Sequence, residues 1–213
     1  MTNKRQQALE VTADDLNRAY AYFRDNFSDR EREDWHYETM FSLVNPALDA
    51  LPKNRVPDDL TTFRIHWMFA VSAWNKRSYQ RNSRDPLDHF RLIEQPLRVH
   101  WVDLMAYRQR NILSLSDEDQ ETIKRIFSDF LFLGSVGVAK GLHLIAPYFF
   151  SPWDTQIYQG YGYKNKNPVH YWLFLRQTQA QIERLNGNFT DENPIKAIDR
   201  FNFWHFTRNR GKK

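Results

Sequence analysis

The chain has 213 residues, a net charge of +4, no cysteine, and an aromatic load of 16 Phe, 10 Tyr and 7 Trp. The length supports one large domain or two small ones with a substantial core. The missing cysteine excludes disulfides, thiolate metal sites, iron–sulfur clusters and a cysteine nucleophile, and no apolar run reaches membrane-spanning length. The opening MTNKRQQALE leads into a charged segment rather than an apolar one, so a soluble, cytoplasmic protein without a secretory signal is expected.

Taken in order, the elements read almost wholly as helix. Thr12 is placed to cap a helix running through Phe27. Ser28 with Glu31 has the capping-box pattern and starts a second helix toward Val44. Pro46, Pro52 and Pro57 break the chain into a linker. Asp58 and Asp59 open a helix with Phe63, Trp67, Val71 and Trp74 on one face. Residues 80–85 form a polar loop. Helices follow near 88–110 and, from a Ser116 cap, over 117–132. A glycine hairpin at Gly134–Gly137 precedes a helix over 138–146, which Pro147 stops. Asp154 stands where an N-cap belongs, and Pro168 suits the first turn of a helix to about Leu185. Thr190 is placed to cap a last helix ending near Phe206. No alternating run argues for a sheet, and no repeat is present. The expected fold is a single all-α domain over residues 1–213, with two lobes (about 58–135 and the flanking helices) and a site between them.

Charge is unevenly placed. Residues 1–57 carry 8 Lys/Arg against 10 Asp/Glu, whereas Arg64–Arg84 and Arg200–Lys213 each hold five basic residues and no acidic one. Aromatics are interleaved in both, as in RIHWMFAVSAWNKRSYQRNSR. Basic groups neutralise phosphates and planar rings stack on exposed bases, so these stretches, with Arg77, Arg81 and Arg84, are either a DNA-facing surface or a solvated face beside core aromatics.

Five of the seven glycines fall between Gly134 and Gly162, where the backbone must turn tightly or approach something closely. In LGSVGVAKG, Gly134, Ser135, Val136 and Gly137 form a turn whose N–H groups, with the positive end of the next helix, suit a phosphate; the alternative is a plain helical hairpin. Leu133, Val136, Val138 and Leu142 pack its two helices. Asp154 is the only acidic residue between Asp129 and Glu183. It is a capping residue, a reactive carboxylate, or both. By type, Trp153, His143, Trp67, Trp74, Tyr158 and Tyr161 are candidates for a base pocket. Trp67, at helical spacing from Phe63 and Val71, reads first as core, and His143, three residues from Lys140 on the same helical face, reads first as a buried histidine. The seven histidines show no H-x-x-x-H or H-E-x-x-H pattern, so no metal site is expected.

The order LGSVGVAKG (133–141), then PWDTQI (152–157), resembles the helix–hairpin–helix superfamily of DNA glycosylases. The similarity covers roughly residues 116–160. In that resemblance Asp154 matches the catalytic aspartate and Lys140 is nearest to the hairpin lysine, the Schiff-base nucleophile of bifunctional members. The run K-x-x-H followed by P-x-x-F-x-P-x-D also looks like the alpha-glutamyl/putrescinyl thymine pyrophosphorylase branch, which is associated with hypermodified bases. Lys140 sits one place later after the V-G pair and nearer the aspartate than in bifunctional members. One residue turns a helix by about 100°, so a monofunctional hydrolase is implied. The resemblance therefore implies a monomeric DNA N-glycosylase without cofactor or membrane partner, acting on a flipped modified base in double-stranded DNA, in base excision or in defence against modified phage DNA. The alternative is a non-catalytic helix–hairpin–helix DNA-binding module.

Overall fold

The computed structural model describes residues 10–75, 86–187, 189 and 193–208, without side-chain detail at 27–36, 86 and 208. Among the described residues there are ten α-helices and no strand, in agreement with an all-α class. Arg77, Arg81 and Arg84, the polar loop at 80–85 and the Thr190 cap lie outside the described residues.

Thr12 starts α1 (Ala13–Asp25) as expected. Its hydroxyl accepts from the Asp15 amide at 3.2 Å while Asp15 accepts from the Thr12 amide at 3.1 Å. Helix α2 (Phe27–Asp49) starts after Asn26, without a side-chain cap, and runs through Pro46. The linker reading of Pro46 is therefore corrected: it lies in the last turn, where Val44 and Leu48 are wholly buried and α2 packs along α3. Burial of those neighbours outweighs the lost backbone bond. Helix α3 (Thr61–Trp74) begins two residues later than expected, with Asp59 Oδ1 accepting from the Thr61 amide at 2.7 Å.

The segment expected as one helix over 88–110 is two, α4 (Pro86–Leu92) and α5 (Glu94–Arg108), meeting at buried Ile93. Arg64 of α3 grips both sides of the joint, pairing with Glu94 and donating to the Phe90 carbonyl at 2.7 Å. Arg64 is therefore a buried cross-brace and drops out of the basic surface to which its sequence position assigned it. Ser116 and Asp119 form a capping box before α6 (Gln120–Asp129). Helix α7 (Ser135–Ile145) follows, then α8 (Thr155–Gly160), α9 (Pro168–Leu185) and α10 (Pro194–Phe203), which continues into a π-helical turn at Trp204–Arg208. The last helix is capped by Asn193, whose Oδ1 accepts from the Ile195 amide at 2.9 Å. One hydrophobic cluster extends from Val11 to Phe206 through every layer.

The glycine hairpin is shorter than its sequence implies. Only Gly134 has a positive φ, of 74°, and α7 starts at the next residue. Gly137 and Gly141 lie inside α7 and serve close packing. A Cβ on Gly137 would stand 3.2 Å from both Asn75 Nδ2 and Leu133 Cβ, and one on Gly141 would stand 2.5 Å from Trp67 Cζ2. Trp67 also donates to the Gly141 carbonyl at 2.9 Å, locking α3 to α7. Gly141→Ala is expected to destabilise the protein by about 1–3 kcal/mol through overpacking. In urea unfolding the midpoint falls, and adding Trp67→Phe, which shrinks the ring, makes the double variant less than additive. An unchanged midpoint for Gly141→Ala would refute the wedge.

Candidate functional site

Of the expected residues, Lys140, His143 and Trp74 meet where α7 packs against α3 and α2. Lys140 leaves α7 and donates to the Trp74 carbonyl at 3.0 Å, with its ammonium 5.2 Å from the Trp74 ring centroid. It thereby satisfies a terminal carbonyl of α3. One turn on, His143 meets the same indole, ring centroids 6.0 Å apart, as well as Tyr37 and Phe41 of α2. His143 Nδ1 donates to the Phe150 carbonyl at 2.6 Å, since a carbonyl only accepts, and its Nε2 accepts from the Tyr37 hydroxyl at 3.1 Å. Complete burial holds this imidazole neutral, lowering its pKa to about 4 against a small opposing effect of the Phe150 bond.

Asp154 caps α8. Its Oδ1 accepts from the Gln156 and Ile157 amides at 2.7 and 2.8 Å. Among the described residues its Oδ2 has no hydrogen bond, and the side chain is half-buried. The preceding Trp153 donates from Nε1 to the Ser135 carbonyl at 3.2 Å, so the aspartate segment is tied to the first residue of α7. Val138 makes the first backbone bond of α7, to the Gly134 carbonyl, and no side chain caps that helix. The amides of Ser135, Val136 and Gly137 thus precede the helical ladder. Val136 is half-buried, while Ser135 and Gly137 are buried.

The base-pocket candidates divide. Trp74 is half-buried at the solvent-reaching edge, with His143 behind it. Trp67 and Trp153 are fully buried in the core, Trp67 against Phe63 and Phe130 and Trp153 against Tyr171 and Phe174. Tyr158 is buried under the Lys166 ammonium, 4.9 Å from its ring centroid, and Tyr161 is buried with its hydroxyl donating to Asn202 at 2.8 Å.

Sequence reasoning missed Asp199 on α10. Its carboxyl is pushed up to about 7, first by burial and then by repulsion from Asp154, with Lys140 and Arg200 acting the other way. Some of its surface still reaches solvent, so it is an enclosed group with an opening rather than a sealed one. Among the described residues it has no hydrogen bond or ion pair. The available signal was a single acid inside the apolar run KAIDRF, but nearby Asp191 and Glu192 removed the isolation that picked out Asp154. Arg200, which looked like the start of a basic tail, is buried.

Among the described residues no three His, Asp or Glu side chains gather as metal ligands, and no helix is long and apolar enough to cross a membrane. An open recess of about 220 Å³ lies elsewhere, beside Tyr163, Arg176 and Arg184 of the α9 region, and shares no residue with the Asp154 neighbourhood. No protein-family model, curated protein or solved structure matches the chain.

Asp199 and His143 give stability opposite pH dependences. The unfolded chain protonates His143 first, so its penalty is absent above pH 6.5, grows as pH falls toward 4, and reaches roughly 3 kcal/mol. The folded chain protonates Asp199 first, so its penalty is absent below pH 3.8 and grows as pH rises through about 7. Asp199→Asn is therefore expected to be more stable than wild type at pH 8, with the difference vanishing near pH 4. Urea unfolding across that range checks this, and a gain that is equal at both ends would refute it.

Proposed function

We propose that this chain is a DNA N-glycosylase that hydrolyses the bond between deoxyribose and a flipped modified base, with a helix–hairpin–helix grip on the backbone. The observation that carries the reading is the state of Asp154: one oxygen is fixed by two backbone amides, the other has no hydrogen bond, and Trp153 ties it to the start of α7. Cleaving a base–sugar bond builds positive charge on the sugar, and a rigidly held carboxylate beside that carbon stabilises it. The uncapped first turn of α7 supports phosphate contact through the amide of half-buried Val136, whereas the Gly134 amide donates to the Leu131 carbonyl at 2.8 Å. Trp74, with Tyr37 and Phe41 behind it, supplies half-buried aromatic surface for an extruded base.

Lys140 fits a charge-holding role better than a nucleophilic one. Its ammonium is engaged by the Trp74 carbonyl and ring, and its charge acts on the Asp199 carboxyl. A Schiff base requires the neutral amine.

Asn caps a helix as well as Asp, so Asp154→Asn keeps the fold and removes the charge. Base release from naturally modified phage DNAs, followed by mass spectrometry, is expected to fall by about 100-fold or more. Release at the wild-type rate would refute the catalytic role. Salt-sensitive DNA binding by wild type with no base released would instead favour a non-catalytic DNA-binding module. Borohydride treatment during turnover is expected to trap no covalent protein–DNA adduct, and an adduct lost in Lys140→Ala would overturn the monofunctional assignment.

A further inference from the structure

Helix α10 presents one face to the site. Lys196, Asp199 and Asn202 recur every three residues and so lie along one side. The two outer members are located by their contacts. The Lys196 ammonium sits 4.7 Å from the Tyr37 ring centroid, at the aromatic group around His143. Asn202 accepts from the hydroxyl of Tyr161, just beyond α8, and that hydroxyl accepts from Gln181 Nε2 at 3.0 Å. The end of α8 is pressed onto the π-turn that continues α10, where a Cβ on Gly160 would stand 2.1 Å from Phe206 Cδ1. Asp199 lies between Lys196 and Asn202 on this side of α10, between the end that meets Tyr37 and the end that meets Tyr161. It lies close enough to Asp154 and Lys140 for their charges to act on it.

Helices α1 and α9 and the π-turn, whose His205 stacks on Phe201, also pack on α10. Helix α1 meets it through Phe23 on Phe203, and α9 through the Gln181–Tyr161–Asn202 chain. The charged groups acting on Asp199 are Asp154, Lys140 and Arg200. Lys196 is directed at Tyr37. A half-buried carboxyl with no hydrogen bond or ion pair among the described residues is unfavourable in a merely structural role, because only the more distant charges of Lys140 and Arg200 oppose its desolvation. Asp154, by contrast, has its two amide donors.

Resting on the glycosylase reading, we propose that Asp199 is a second carboxyl of the reaction, the proton donor to the departing base, working beside Asp154. In the step, the C1′–N bond breaks and its electron pair leaves with the base, which takes the proton from the Asp199 carboxyl. The oxygen of one water bonds to C1′, and that water's proton is taken by the Asp154–Asp199 pair. The pair returns to its starting state with one proton shared between two carboxyls. One water is consumed, and no metal or oxidant enters. The two carboxyls differ in their environments: Asp154 accepts from two backbone amides, while burial beside a like charge favours the neutral form at Asp199.

The test is the pH dependence of single-turnover base release from modified phage DNA, comparing wild type, Asp199→Asn and Asp199→Glu. Folding of each is checked by thermal melting at each pH. Wild type is expected to lose rate above about pH 7 as the donor ionises. Asp199→Asn is expected to be slower by about 100-fold or more and to lack that alkaline limb, and Asp199→Glu to regain part of both. If Asp199→Asn keeps the wild-type rate, or slows but keeps the same limb, the donor role is overturned while Asp154 and the glycosylase reading stand. If wild type releases no base from any modified DNA, the reading falls and the donor role with it.

Discussion

The seating of the Trp67 ring against Gly141 fixes the rest of the site. An indole wholly buried between two helices occupies the volume a Cβ on α7 would need, and its N–H takes the Gly141 carbonyl. Helices α3 and α7 therefore approach more closely than side chains on both would allow. That approach carries the C-terminal end of α3 to α7, where the Trp74 carbonyl meets Lys140 and the Trp74 ring meets His143. Gly137 repeats the device one turn earlier, against Asn75 and Leu133. A protein interior transmits such a fit because it is close-packed. The register of the α3–α7 contact, rather than any loop, sets the distance between the lysine and the aromatic edge.

A second tether sets the carboxylate. Asp154 follows immediately after Trp153, and the Trp153 indole is held by the Ser135 carbonyl and by an aromatic core of Phe127, Tyr171 and Phe174. The start of α7 and the start of α8 are thereby joined by one hydrogen bond from a buried ring. Two helix N-termini, both favourable to negative charge, stand in a fixed relation. One is occupied by the chain's own carboxylate and the other is left without a side-chain cap.

Local signals in the sequence were readable wherever a helix end is decided locally. The Thr12 cap, the Asp154 cap and the whole of α9 from Pro168 to Leu185 stand where spacing and turn chemistry put them. What failed was decided by tertiary contact. Pro46 stays helical because Val44 and Leu48 are buried against α3. The expected helix over 88–110 breaks at Ile93, where Arg64, thirty residues before Glu94, clamps both halves. The glycine cluster combined two physical demands that look alike in sequence. Gly134 supplies a backbone conformation, whereas Gly137, Gly141 and Gly160 supply the absence of a side chain facing Asn75, Trp67 and Phe206. Asp199 was hidden for the same reason: its significance comes from Asp154 and Lys140, which only folding brings near it.

The contrast between the two carboxyls follows from what each helix offers. Asp154 lies at the start of α8, where its side chain accepts from two backbone amides that have no partner within the helix. Asp199 lies in the middle of α10, where the amides are already bonded to carbonyls a turn earlier and none remains for its side chain. Only Lys140 and Arg200 oppose the cost of its burial, and Asp154 adds to that cost. A carboxyl in a helix interior thus lacks the amide donors of a helix end, and burial there pushes its pKa up. Burial of Asp199 costs stability above the ordinary carboxylate range, and perturbed acids of this kind concentrate where a proton must be moved.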